Sequence, residues 1–465
     1  MFVNREAELA ALNAWWERPG AAIGVVWGRR RVGKSWLLRE WASSRRSVFH
    51  IARNRPMADE LRALSLAVSK VAGAHRRNLT TRPFHDWDDA FDVLSELSTT
   101  EPLLVVIDEF PDLIKSTPGL ESAFRAIWER VEPVCNLRLV LCGSAVRTME
   151  ALQTQQAPLH NRMTLRLPVH PFSVHEVSRM LPSADPLERA AAWGICGGMP
   201  FYLSVWEQGR GLRANVEKLF CNERALLLSE GEFVLTTEDV AGGGRERLPE
   251  QVLRAIAAGH TSFREITAAL NTLPTRVLVE LERLRLVARV QPVTEKPTTK
   301  LSYYRVDDNF LEFWLTMIEP HRSAIEQGLG SGVASVVLDS FDDHMGARWE
   351  EALRQHVRFL AAADRIHPGI VAVGEFWNRQ VGPNDDPCQL DVVAVAGRGR
   401  QVALVGEATW SRRKAAPGLL SDIKSKAGLA RLSLADDPVW LVCARDVLTQ
   451  VPEGVMAVTA HDIFA

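Results

Sequence analysis

Over its first 170 residues, the chain alternates short apolar runs with stretches of helical spacing. The runs predict buried strands at residues 23–27, 47–52, 103–108, 137–142 and 164–169. Apolar positions that recur every three to four residues between them predict amphipathic helices. Strands that alternate with helices indicate an α/β fold of the doubly wound type, with a mostly parallel sheet.

The pattern changes beyond residue 170. Helical spacing continues to residue 237, and a glycine-rich linker is predicted at residues 238–245. Three helical signals and two short strand signals joined by a basic-polar stretch then predict a helix–turn–helix with a two-stranded wing. We expect four parts, which are an α/β core, a helical lid, a winged helix and a second α/β domain, at residues 1–170, 171–237, 245–320 and 335–465.

Composition narrows the function classes. The chain has 465 residues, of which 46% are hydrophobic and 24% charged, and its net charge is −2. No overall field therefore draws it to nucleic acid, and any such contact must come from local patches. The six cysteines form no C-x-x-C pair, so no zinc site is indicated. We find neither a signal-peptide core nor an apolar run of ~20 residues, and we expect a cytoplasmic protein without a membrane span.

A phosphate-binding motif follows the first predicted strand. Residues 28–35 read G-x-x-x-x-G-K-S, with an apolar strand before them and a helical stretch after them. The glycines let backbone N–H groups surround a phosphate, Lys34 reaches the β and γ phosphates, and Ser35 ligates Mg²⁺. We expect ATP and Mg²⁺ here, with these residues at the nucleotide: Gly28, Arg31, Val32, Gly33, Lys34, Ser35 and Trp36.

The third predicted strand ends in two carboxylates, Asp108 and Glu109, about 75 residues after the loop. This is a Walker B pattern, in which Asp108 holds the magnesium shell and Glu109 polarises the attacking water.

Two further residues are candidates for the ATP site. Ser144 ends the next strand and is placed as a polar sensor, or simply belongs to a Gly-Ser turn. Arg162 precedes the fifth strand and is either an arginine finger, in its own or a neighbouring subunit, or part of a surface salt bridge.

The opening Phe2–Leu9 and the segment Gly197–Leu203 carry a family resemblance. They are similar to the F-[IV]-x-R-x-x-E-L and G-G-x-P-x-Y-L motifs of archaeal and bacterial P-loop ATPases of the AAA+/STAND group. In that group a winged helix and a nuclease-like domain follow the ATPase. The resemblance implies that Arg5 lies near the adenine and that Pro200 belongs to a lid over the nucleotide.

The last third of the chain resembles a PD-(D/E)XK nuclease fold. Glu350 matches the acidic residue of its first helix, while Asp391 and Glu407 match the carboxylates of two strands. Position 409 is threonine where that pattern has lysine, and Arg413 or Lys414 could replace it. Residues 397–431 carry eight Lys/Arg and two Asp/Glu, a local charge of +6, which suits a DNA backbone.

The sequence thus predicts a Mg-dependent ATPase whose ATP cycle controls a winged-helix and nuclease-like DNA-binding module, with the nuclease inactive. Residues 245–300 carry ten Lys/Arg and six Asp/Glu, so the winged helix contacts either DNA or, alternatively, another part of the chain or another protein. Two alternatives stay open, namely a non-hydrolysing nucleotide switch or scaffold for protein partners, and an active ATP-controlled endonuclease. The expected partners are ATP, double-stranded or branched DNA, and further copies of the chain.

Overall fold

A computed structural model of the chain divides into two compact units, Met1–Pro171 and Phe172–Ala465. The predicted linker, residues 238–245, lies outside the described residues. The structure describes residues 2–73, 77–237, 247–296, 298–378 and 388–465.

The first unit contains a parallel five-stranded sheet. Its strands lie in the order β2-β3-β4-β1-β5, and every neighbouring pair is parallel. All residues of β3 and β4 are buried, which explains why both runs are mainly apolar. The strands are β1 (Ala22–Trp27), β2 (Ser47–Ile51), β3 (Leu103–Asp108), β4 (Leu137–Gly143) and β5 (Met163–Pro168).

Helices connect these strands. Their apolar faces pack on the sheet, where Phe91, Phe124 and Trp128 are among the buried side chains of the core. The α/β fold with a parallel sheet is therefore confirmed. The helices of this unit are α1 (Glu6–Trp16), α2 (Lys34–Ala42), α3 (Met57–Ser69), α4 (Trp87–Leu97), α5 (Phe110–Ser116), α6 (Leu120–Val131) and α7 (Val146–Ala151).

The second unit begins with helices that have clear start signals. Asp185 caps one helix through the Glu188 N–H, and Ser262 forms a capping box with Glu265. These helices are α8 (Val174–Met180), α9 (Pro186–Cys196), α10 (Pro200–Ser204), α11 (Gly211–Leu219), α12 (Glu230–Thr237), α13 (Leu248–Ala257), α14 (Phe263–Leu270) and α15 (Thr275–Arg283).

Two short antiparallel strands follow, β6 (Val287–Val290) and β7 (Tyr303–Val306). The order of three helices and a two-stranded sheet agrees with the sequence pattern, and the winged-helix interpretation stays a prediction. Six more helical elements come next. They are α16 (Asn309–Phe313), a π-helix (Trp314–Ile318), a 3-10 helix (Glu319–His321), α17 (Arg322–Glu326), α18 (Gly330–Asp339) and α19 (Phe341–Ala362).

A mixed sheet with the order β14-β12-β10-β9-β8 forms the last part of the unit. The pairs β8–β9 and β9–β10 are antiparallel, whereas β10–β12 and β12–β14 are parallel. Its elements, with the small parallel pair β11–β13 beside them, are β8 (Ile370–Asn378), β9 (Cys388–Ala396), β10 (Gln401–Thr409), β11 (Arg413–Ala415), α20 (Ala416–Leu429), β12 (Leu434–Ala444), β13 (Val447–Thr449), β14 (Val455–Val458) and α21 (Ala460–Ile463).

The hairpin of β6 and β7 packs against residues of this same unit. The Val293 N–H donates to the Glu375 carbonyl oxygen at 2.9 Å, and the Tyr303 hydroxyl donates to the Glu375 carboxylate at 2.8 Å. Arg305 of β7 forms an ion pair with Glu351 of α19 at 2.8 Å. The hairpin region therefore makes polar contacts with other residues of the second unit. Within the described ranges, no helix is long and apolar enough to cross a membrane.

Candidate nucleotide site and a carboxylate cluster

The loop between β1 and α2 has the backbone that a phosphate loop needs. Gly33 and Arg31 adopt left-handed φ values of 94° and 65°. A Cβ atom on Gly28 would lie 2.2 Å from the Val169 carbonyl oxygen, so no larger residue fits there. The turn therefore depends on both glycines of the motif.

Lys34 places its charge inside this loop. Its ammonium group donates to the carbonyl oxygens of Gly28 at 2.8 Å and Arg29 at 2.9 Å, and the residue is buried. A cation held at the centre of a ring of loop backbone is suited to a polyphosphate. Arg5 supports the loop from outside, because its guanidinium donates to the Val32 carbonyl oxygen at 2.8 Å.

Ser35 and Asp108 meet across the site. The Ser35 hydroxyl donates to the Asp108 carboxylate at 2.6 Å, and Asp108 is 3% exposed at the end of β3. A hydroxyl and a carboxylate beside a phosphate loop are ligand types that Mg²⁺ accepts. The donor set therefore fits the metal that the sequence motif implies.

Glu109 begins the turn after β3 in a left-handed conformation, with φ 54°. Such a conformation is uncommon for a residue with a side chain, and it often marks a functional position. The Glu109 carboxylate accepts from the Ser144 hydroxyl at 3.0 Å and from the Ser144 N–H at 3.2 Å. Ser144, just beyond β4, therefore fixes the position of the Glu109 carboxylate through two hydrogen bonds.

Of three other residues that the sequence predicts at the ATP site, one is exposed, one belongs to the second unit and one lies at the amino edge of the sheet. Trp36 lies in the first turn of α2 with 62% of its surface exposed. Pro200 is the first residue of α10 and belongs to the second unit. Arg162 directly precedes β5, which is parallel to β1, so it lies at the amino edge of the sheet, whereas the phosphate loop leaves from the carboxyl edge. Its guanidinium contacts Glu129 at 3.0 Å, as the surface salt-bridge alternative predicts.

The predicted nuclease-like residues lie on three elements of the second unit. Glu350 is on α19, Asp391 on β9 and Glu407 on β10. The pairing of β9 with β10 places the two strand carboxylates side by side, and Asp391 accepts from the Ala408 N–H at 2.9 Å. Burial, followed by repulsion from Asp391, raises the pKa of both Glu350 and Glu407 to about 7. Burial also raises the pKa of Asp391.

Lys426 contacts this cluster, and the sequence did not indicate it. Its ammonium lies 2.6 Å from the Glu407 carboxylate. Thr409 instead shares a hydrogen bond with Ser411 at 2.9 Å. Arg413 and Lys414, the residues expected to replace the missing lysine, are exposed on β11 and make no ion pair with the three carboxylates in the described part of the chain. A lysine on the helix between β10 and β12 was the signal that sequence reasoning overlooked.

An ion network centred on the buried Arg354 supports the cluster from α19. Arg354 donates to the Asp391 carbonyl oxygen at 2.8 Å and to Glu351 at 2.8 Å. Glu351 also accepts from Arg305 and Arg358, each at 2.8 Å. Burial would raise the pKa of Glu351, but these three arginines outweigh burial and hold that pKa well below its ordinary value. Glu351 and Arg354 lie one and four residues after Glu350, so helical spacing could have identified them.

The carboxylate cluster does not form a metal site of three or more ligands in the described part of the chain. Across the described ranges, no three or more His, Cys, Asp or Glu side chains are grouped so that they could hold a metal ion. Glu407 is instead neutralised by Lys426. Among the described residues, Glu350 therefore does not join Asp391 and Glu407 in a metal site of three ligands.

Two family models match the chain. Residues 2–205 match a family described as "ATPase domain predominantly from Archaea". Residues 314–419 match a family described as "Archaea bacterial proteins of unknown function". The first match spans the phosphate loop and both carboxylates of the Walker B strand.

Two curated relatives and one solved structure are also similar to parts of the chain. An uncharacterized protein of Methanocaldococcus jannaschii is 26% identical over 423 residues, which are 89% of this chain and 88% of that protein. An uncharacterized ATP-binding protein of the same organism is 39% identical over 46 residues, 10% of this chain and 78% of that protein. A Walker-type ATPase of Pyrococcus abyssi has a similar fold, with a TM-score of 0.53 and 20% identity over 68% of this chain and 96% of that one.

Proposed function

With an ATPase domain of a predominantly archaeal family as the premise, we propose that this protein hydrolyses ATP with Mg²⁺ and that its ATP cycle acts on a DNA-binding second unit. One observation carries the first part of the proposal. Lys34, the Ser35–Asp108 pair and Glu109 occur together at the carboxyl edge of one parallel sheet. This edge is where α/β sheets bind ligands.

Each residue has a defined task in the proposed reaction. Lys34 stabilises the charge of the β and γ phosphates, and bound Mg²⁺ would neutralise developing charge on the same oxygens. Ser35 and Asp108 would hold that ion. Glu109 orients the attacking water and accepts a hydrogen bond from it, while Ser144 keeps the Glu109 carboxylate in place.

The remaining predicted contacts complete this proposal. Trp36 and the loop backbone lie next to the nucleotide, and Arg5 supports the loop. Pro200 is the first residue of a lid helix. Arg162 would act on a γ-phosphate only in a neighbouring copy, since it lies at the amino edge of its own sheet. That role requires a homo-oligomer.

Glu109→Gln tests the proposed hydrolysis. We expect the variant to bind Mg·ATP with wild-type affinity and to hydrolyse it at least ~10²-fold more slowly, because the amide keeps the shape and loses the charge. Phosphate release and equilibrium binding of ATP should be measured on the full chain. Glu101→Gln, a change at an exposed position of the same unit, is the matched control and should leave turnover unchanged.

Two results would contradict this assignment. Wild-type turnover in Glu109→Gln would remove Glu109 from the reaction. A wild-type protein that binds ATP and never releases phosphate would instead favour the non-hydrolysing switch.

DNA binding by the second unit is supported by its charges. Arg412, Arg413 and Lys414 are exposed and consecutive, and Lys424 lies 5.5 Å from the ring centre of Trp440. Such residues contact phosphates and bases without reading sequence. We propose binding without cleavage, since position 409 holds threonine where the nuclease pattern has lysine and no group of three or more metal-holding side chains occurs among the described residues.

Removal of the three consecutive charges tests this second function. Arg412→Ala, Arg413→Ala and Lys414→Ala together should weaken binding to double-stranded DNA and reduce the salt slope by up to ~0.9 per lost phosphate contact. The control replaces Arg210, Arg213 and Lys218, which are exposed elsewhere in the unit and paired with glutamates. The control should bind as the wild type does.

Two outcomes would contradict non-cleaving DNA binding. Absence of binding to linear, supercoiled and branched DNA at low salt would leave a protein-interaction module. Cleavage with Mg²⁺ or Mn²⁺ that disappears in Asp391→Ala would establish an active nuclease, with Lys426 as the residue to test next.

A further inference from the structure

The segment that follows β2 lies beside the Asp108 strand. β2 is parallel to β3, with Ile51 opposite Asp108, and the Ala52 N–H donates to the Asp108 carbonyl oxygen at 2.9 Å. Residues 53–55 therefore leave the sheet at the same carboxyl edge as the proposed catalytic carboxylates. Neighbouring strands are only ~4.8 Å apart, so this segment adjoins the proposed ATP site.

A buried carboxylate fixes the backbone of this segment. Glu60 of α3 is 0% exposed and accepts from the Arg53 N–H at 2.9 Å and from the Arg55 N–H at 3.3 Å. Asn54 between them has a left-handed φ of 51°. His50 of β2, itself buried, lies 3.0 Å from the same carboxylate. Burial of an ionised group is costly unless it is paired, so Glu60 has a defined task here.

The two arginines of the segment differ in what their side chains do. The Arg55 guanidinium lies 3.3 Å from the Glu60 carboxylate, which also accepts from the Arg55 backbone N–H. Arg53 is exposed, and across the part of the chain that the structure describes its guanidinium has no hydrogen-bond or ion-pair partner. Its backbone is therefore held while its charged end remains available at the ATP edge of the sheet.

We propose that Arg53 is a further catalytic residue of the ATPase site, which donates hydrogen bonds to the γ-phosphate of ATP bound in the same chain, and that Glu60 is its positioning residue. The proposal rests on the proposed ATP hydrolysis. In that reaction water attacks the γ-phosphorus, the bond to the β-phosphate oxygen breaks, and ADP and phosphate form. Arg53 transfers no proton, because a guanidinium stays protonated, and it acts by stabilising charge on the phosphoryl group.

Arg53→Ala is the direct test. We expect kcat for ATP hydrolysis to fall by about 10²-fold, the scale for removing one fixed donor from a charged transition state. ADP carries no γ-phosphate, so ADP affinity should stay unchanged, while ATP affinity measured in the Glu109→Gln background should decrease. Arg62→Ala is the matched control, since Arg62 is exposed on α3 of the same unit, and it should match the wild type in all three measurements.

Glu60→Gln tests the positioning role. The amide keeps the size of the side chain and weakens its hold on the Arg53 and Arg55 N–H groups, so kcat should fall while ADP affinity stays unchanged. If Glu60 acts through Arg53, the double variant should be no slower than Arg53→Ala alone. A loss that is additive in the double variant would show that Glu60 affects the site by another route.

The outcomes separate this inference from the proposed function. Wild-type protein without Mg-dependent turnover would refute the ATPase proposal itself. Wild-type turnover that persists in Arg53→Ala would refute only the role of Arg53. An equal loss of ADP and ATP affinity in Arg53→Ala would also overturn it, because such a loss does not depend on the γ-phosphate.

Discussion

Lys34→Ala should abolish tight Mg·ATP binding and lower ATP hydrolysis by about 10³-fold, the upper end for removing one fixed donor from transition-state charge. The Lys34 ammonium lies between the Gly28 and Arg29 carbonyl oxygens, 2.8 and 2.9 Å away. Its charge is thus positioned before any substrate arrives. Both ATP and ADP should bind more weakly, because the β-phosphate is common to them.

The measurements are nucleotide affinity by calorimetry and phosphate release at saturating Mg²⁺. Lys115→Ala is the control, because Lys115 is an exposed lysine of the same unit that pairs with Asp112. Retained ATP affinity in Lys34→Ala would remove the loop from nucleotide binding altogether. Far-UV circular dichroism should match the wild type, since loss of the lysine leaves both glycines of the turn in place.

The fold of the first unit was predictable because each buried strand corresponds to one continuous segment of mainly apolar sequence. β3 and β4 are buried along their whole length, so each appears in the sequence as a mainly apolar run, with the buried Arg138 inside β4. The Ser35–Asp108 contact joins residues far apart in sequence. It follows from motif spacing alone, because parallel strands bring their carboxyl ends to one edge of the sheet.

Long-range side-chain contacts were harder to predict. The nuclease pattern has a lysine two residues after Glu407, where this chain has Thr409, and Arg413 or Lys414 was expected to replace it. The structure instead places Lys426 at Glu407, from α20, the helix that returns over the sheet. The hold of Glu60 on Arg53 depends on a left-handed turn at Asn54, which no periodicity indicates. The position of Arg162 could have been predicted from the sequence. It directly precedes a strand that is parallel to its neighbour, so it must lie at the amino edge of the sheet.

The ion network around Glu351 predicts the largest effect on stability. Glu351→Gln should lower the free energy of unfolding of the second unit by about 3–5 kcal/mol, the range for removing one partner of a buried ion pair. Arg354 is 2% exposed and would lose the carboxylate that its Nε contacts at 2.8 Å. Arg305 would lose the same partner. Arg354 would keep Glu350 at 3.6 Å, and Arg305 would keep only contacts of 3.9 Å with other carboxylates. The two guanidinium charges would then repel each other with less compensation.

Thermal unfolding of the full chain measures this loss, with Glu326→Gln as the control. Glu326 pairs with Arg322 in one turn of an exposed helix, and such surface pairs contribute ~0–1 kcal/mol. The control should therefore unfold near the wild-type temperature. If Glu351→Gln does so too, the network makes no net contribution to the stability of the unit.

The pH dependence of unfolding stability is a second measurement that tests the role of Glu351. The folded-state pKa of Glu351 lies below its unfolded value, which is ~4.3. Its contribution is therefore complete above that value and is lost as pH falls toward the folded-state pKa. The stability difference between wild type and Glu351→Gln should be constant between about pH 6 and 8 and should shrink below ~4.3. A difference that grows in acid would mean that the three arginines do not hold Glu351 in its ionised form.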